Sequence, residues 1–155
     1  MKTRTILSLS AIACFALFAP DSMAQQNSKL SDAEVAHAAV TANQIDIDFA
    51  EIAKSKSRNT DILKFAETMT NDHNAVISQA VGLAKKLGVT PVGNDVSKQL
   101  SADAEKTKKM LRASSKKDFD KAYIDNEVSY HKAVISAVEG LLIPETENSE
   151  LKELL

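Results

Sequence analysis

A single cysteine, no tryptophan, two tyrosines and five phenylalanines leave this 155-residue chain with few reactive or stacking groups. The cysteine, Cys14, lies in an N-terminal segment. Once that segment is removed, no disulfide, thiolate metal site or cysteine nucleophile is available. The low aromatic content speaks against surfaces that stack on sugars or nucleobases. Neither charge sign dominates, since 19 Lys and Arg face 21 Asp and Glu for a formal charge of −2. No basic stripe emerges, so nucleic acid is not an expected partner. There is no Gly-rich phosphate loop, no Gly-x-Ser-x-Gly elbow and no His-Glu-x-x-His.

What is present begins with an export signature over residues 1–24. Lys2 and Arg4 precede the apolar run Ile6–Ala19, which falls short of the roughly 20 residues a spanning helix needs. Ser22-Met23-Ala24 then places small residues where a signal peptidase cuts, leaving Gln25 first. An uncleaved anchor is the second reading. A lipoprotein signal at Cys14 is a third, weakened by Ala11-Ile12-Ala13 and by the apolar residues that follow. Cleavage removes Lys2, Arg4 and Asp21 and moves the charge to −3. Residues 25–30 read as a flexible leader. Residues 31–155 are the size of one domain and long enough to bury a core.

Helical periodicity runs through that domain. Ser31 and Glu34 form a capping-box pattern ahead of Val35, Ala38, Ala42, Ile45, Phe49 and Ile52, spaced 3-4-3-4-3. That helix ends near Lys56 to Asn59. Thr60–Leu87 follows, capped by Asn59 or Thr60, with Ile62, Ala66, Met69, Val76, Ala80, Leu83 and Leu87 in a 4-3 rhythm broken only at His73. The flanking segments read as helices that cover this one. Gly88, Pro91 and Gly93 mark a turn. Asp95–Leu111 is a third helix, with Val96, Leu100, Ala104 and Leu111 inward. A fourth starts after Ser114-Ser115 and runs to about Leu142, where Pro144 ends it. It carries two adjacent stripes, one through Phe119, Tyr123, Asn126 and Tyr130, the other through Ile124, Glu127, His131 and Val134. Ser149–Leu155 begins one more helix. No segment alternates with period two, so the class is all-α, an up-and-down four-helix bundle whose last helix is truncated.

Three polar features interrupt the apolar stripes: His73, the Glu127/His131 pair, and Asp46 at the edge of the first helix. Imidazole and carboxylate inside a bundle suit iron, manganese or zinc. His73, His131, Glu127 and Asp46 are the candidate ligands, with Asp72 and Tyr123 as outer partners. The alternative is a set of structural histidines, each satisfied by one tyrosine, carboxylate or carbonyl. His37, between apolar positions, reads as exposed and without function. A di-iron centre of the ferritin type needs Glu-x-x-His on two helices. Thr70 and Val128 occupy those glutamate positions, so an oxygen-activating site is not expected.

The motifs ANQIDIDFAEIA, FAETMTNDHNAV, LGV-x-P and FDKAYIDNEVSYHKAV together resemble the family catalogued as domain of unknown function 4142, over nearly all of residues 30–155. Its members are exported bacterial proteins, often labelled outer-membrane or periplasmic, and grouped with ferritin-like bundles. The resemblance implies a ferritin-like bundle outside the cytoplasm, periplasmic or associated with the outer membrane, with metal binding but no established reaction. The family's acidic first-helix position falls on Asp46, its Asp-His pair on Asp72 and His73, and its later histidine on His131. Glu127 stands where the family often has an apolar residue. Family members continue past ELKELL into a helix with a further histidine. The functions expected are metal storage, buffering or protection, or else a non-catalytic envelope module acting through a protein partner or as a homo-oligomer.

Overall fold

The computed structural model describes residues 29–155. The expected signal segment, Cys14 included, and most of the leader lie outside the described residues. Four long helices account for most of the domain: α1 (Asp32–Lys56), α2 (Thr60–Leu87), α3 (Asp95–Ala113) and α4 (Phe119–Ala137). Loops of a few residues join them, so the chain reverses direction from one long helix to the next. Among the described residues there is no strand, and no helix is long and apolar enough to cross a membrane. The protein is an all-α bundle.

The helix starts follow from local chemistry. Ser31 N–H donates to Glu34 Oε2 at 2.9 Å while Glu34 N–H reaches Ser31 Oγ at 3.4 Å, closing the capping box of α1. Asn59 caps α2 through Asp61 N–H, and Asn94 caps α3 through Ser97 N–H. Gly88 ends α2 with φ +66°, a left-handed turn where a side chain would be strained.

The centre of the bundle is α1, not α2 as the 4-3 rhythm suggested. α1 packs on α2, α3 and α4, and its buried residues include Ala36, Ile47 and Ala50, which lie off the single stripe. Alanines on the second face make no periodic signal of their own, yet they let neighbouring helices approach closely. On α2 only Ile62, Ala66 and Ala80 are buried, so it is a flanking helix with one covered face. Ile45, Phe49, Ala53, Leu111, Phe119 and Tyr123 form the main core.

Pro144 does not end α4. The chain passes through a π-helical turn, Val138–Leu142, in which Ile143 N–H donates to Val138 O, and continues as α5 (Ile143–Glu145). The wide turn accommodates a residue that has no N–H and crowds the carbonyl one turn back. Helix α6 (Ser149–Leu154) then folds back against α2 and the beginning of α1. Asp32 accepts Glu147 N–H at 2.8 Å and Asn148 N–H at 3.0 Å, tying the segment before α6 to the first turn of α1. Beyond Tyr130, α4 leaves an apolar groove of about 620 Å³ lined by Ala39, Val76, Leu100, Val134, Leu142 and Leu155.

Candidate metal centre

Asp46 occupies the middle of α1 and, because that helix is enclosed, is only 1% exposed. His73 on α2 and His131 on α4 come in over it from either side, with side chains 21% and 38% exposed. His73 Nε2 lies 2.9 Å and His131 Nε2 3.2 Å from the same atom, Asp46 Oδ2. One ligand atom from each residue falls within 4.8 Å of the others. The two rings stand 5.8 Å apart at 47°. Exposure increases from the carboxylate outward, so the group opens to solvent through its imidazoles.

Both contacts are short enough for hydrogen bonds, yet no donor is directed at either oxygen of Asp46. The nitrogens approach Oδ2 off the axis along which an N–H would point. That relation is expected of ligands around a common centre. Atoms about 2.1 Å from an ion and at right angles are about 3.0 Å apart, each off the other's lone-pair axis. His131 Nδ1 lies 2.9 Å from the Glu127 carbonyl. A carbonyl oxygen only accepts, so Nδ1 carries a proton, and in the neutral ring the nitrogen beside Asp46, Nε2, is the bare one.

Glu127 lies behind this group. Its side chain is 3% exposed, and Oε2 is 3.8 Å from His131 Nδ1, the nitrogen that already serves the backbone. Burial, then the charge and hydrogen bonding of Asp46, push its carboxyl up to about 9, against the opposing influence of Asn126. As two carboxylates, Asp46 and Glu127 would leave all four oxygens without a donor. A proton on Glu127 supplies one. Tyr123 is fully buried below, its hydroxyl without a partner, and burial with the nearby Glu127 and Asp46 charges raises its pKa.

Of the residues singled out in the sequence, Asp46, His73 and His131 meet, Glu127 adjoins them, and Tyr123 lies beside Glu127. Asp72 does not take part. It is exposed, because its place next to His73 in sequence is about 100° away around a helix. His37 is half-buried rather than exposed, its ring against Gly93 and its Nδ1 3.4 Å from Thr41 Oγ1. Asn43, which no apolar stripe marks, joins the group: its Oδ1 lies 2.6 Å from His73 Nδ1. It stands three residues before Asp46 and hence on the same helix face, the one trace of its role that the sequence carries.

The fold and this site define an all-helical bundle with two imidazoles and a buried carboxylate in contact. The chain belongs to the family described as Domain of unknown function (DUF4142), which matches it over residues 18–155. No curated protein and no solved structure matches it.

Proposed function

We propose that the protein binds a divalent transition metal through Asp46 Oδ2, His73 Nε2 and His131 Nε2, in a role of storage, buffering or protection. The observation that carries this reading is the meeting of both Nε2 atoms on one carboxylate oxygen, at 2.9 and 3.2 Å, without an aligned hydrogen bond. Two histidines with one carboxylate suit iron(II), manganese or zinc. A bound ion of this kind supplies positive charge, and with iron or manganese a redox couple. The chain's own residues orient the imidazoles and keep Asp46 out of water, while the two half-exposed rings leave a way in. Glu127 holds a proton next to Asp46 and can balance charge by releasing it. The sequence of residues 1–24 supports export to the periplasm, where an envelope protein or a second copy is the natural partner.

The distances also suit a second reading, in which protonated histidines pair with Asp46 and only fix helix register. Elemental analysis of protein purified from the periplasm, without chelator or affinity metal, separates the two. Near-stoichiometric iron, manganese or zinc that disappears in a His73→Ala, His131→Ala double variant is the expected result. A chain that stays empty after incubation with each metal would leave the structural reading in place.

A further inference from the structure

Resting on that reading of the site, we infer that Asn43 is its positioning residue: it fixes His73 in the tautomer whose bare Nε2 faces Asp46. Asn43 Nδ2 donates to Ala39 O at 2.8 Å, one turn back on α1. Only the amide NH₂ can make that bond, so the orientation of the amide is settled and Oδ1 is the atom that meets His73 Nδ1 at 2.6 Å. Oδ1 cannot donate. The proton in this contact therefore belongs to His73 Nδ1, and neutral His73 has its lone pair on Nε2, 2.9 Å from Asp46 Oδ2.

His131 reaches the same state by another route, through the Glu127 backbone carbonyl. Two acceptors on different helices, one a side chain and one main chain, thus leave two bare Nε2 atoms beside one carboxylate oxygen. Without a cation those three electron-rich atoms repel each other. The acceptor that orients His73 is an amide, so it sets the tautomer without adding a second negative charge to the mouth of the site. Because Asn43 and Asp46 are one turn apart on α1, ring orientation and ligand position are set by the same rigid element.

The test uses ¹⁵N chemical shifts of the imidazoles in the metal-free full chain, at a pH where both are neutral. Wild-type His73 should be protonated at Nδ1 and bare at Nε2. In Asn43→Leu its signals should move toward the opposite tautomer, whereas those of His131 stay in place. Asn43→Asp, which keeps the acceptor, should restore them. In parallel, the affinity for zinc should fall on the order of ten- to a hundredfold in Asn43→Leu and recover in Asn43→Asp. A wild-type His73 protonated at Nε2, or one unmoved by Asn43→Leu, would overturn the inference. The tautomer is measured without metal, so a correct tautomer in a protein that binds no zinc would instead remove the metal reading.

Discussion

Glu127 and His131 lie one turn apart on α4, and the histidine bonds to the Glu127 carbonyl at 2.9 Å while the carboxylate stays 3.8 Å away. The carboxylate is therefore left facing Asp46 in a buried place, with its pKa raised from 4.5 to about 9. Between those two values the folded chain holds a proton that the unfolded chain has lost. The stability this group contributes is complete below about pH 4.5 and disappears as pH rises through about 9, with a slope approaching about 1.4 kcal/mol per pH unit. Urea unfolding in chelator at pH 5, 7 and 9 should show that fall for the wild type, and a flatter profile for Glu127→Gln. Parallel profiles would mean that Glu127 is ionised in the folded protein.

Asp46→Asn separates the cation site from an ion pair. The substitution keeps the shape and removes a buried charge whose oxygens have no directed donor. In the metal-free protein, stability should hold or rise. Metal affinity should drop by more than the roughly 100-fold that follows loss of an outer partner. A loss of about 3–5 kcal/mol in the metal-free state would instead identify a histidinium–aspartate pair.

A ligand that binds only the folded chain stabilises it by about 2.7 kcal/mol at a hundred times its dissociation constant. Zinc or manganese at that excess should raise the thermal midpoint by several degrees. Chelator should reverse the gain, and His73→Leu should abolish it. The same His73→Leu variant, without metal, should be as stable as the wild type or more so, because it completes the apolar stripe of α2.

Tyr123→Phe tests the orphaned hydroxyl. The ring stacks on Phe119 with centroids 6.2 Å apart, and Phe keeps that packing. Removing a buried hydroxyl that has no partner should stabilise the metal-free protein or leave it unchanged. A cost of about 1–3 kcal/mol would show that the hydroxyl serves the Glu127–Asp46 pair.

The four long helices were legible from apolar spacing and caps, and their ends fall within a few residues of those expected. The central position of α1 was not, because its second buried face is made of Ala36, Ala50 and Ile47, which carry no rhythm. The passage through Pro144 was hidden for a different reason: a π-helical turn relieves the proline and leaves no mark in composition. At the site, His73, His131 and Asp46 stood out because each interrupts or borders an apolar stripe. Asn43 did not, since a half-buried amide on a helix looks like any other polar position. Asp72 drew attention only through its place in the sequence, and helical geometry turns it outward.

Asp46, His73 and His131 are separated by 27 and 58 residues along the chain. An ion held by all three closes both intervening segments into loops, the topological effect of a cross-link. A chain without cysteine after residue 14 would in this way acquire removable tethers, made only when the ion is present. Losing the ion would then do more than vacate a site. It would untie α2 and α4 from α1 within the folded chain, and α4 otherwise rests on α1 beside an open groove.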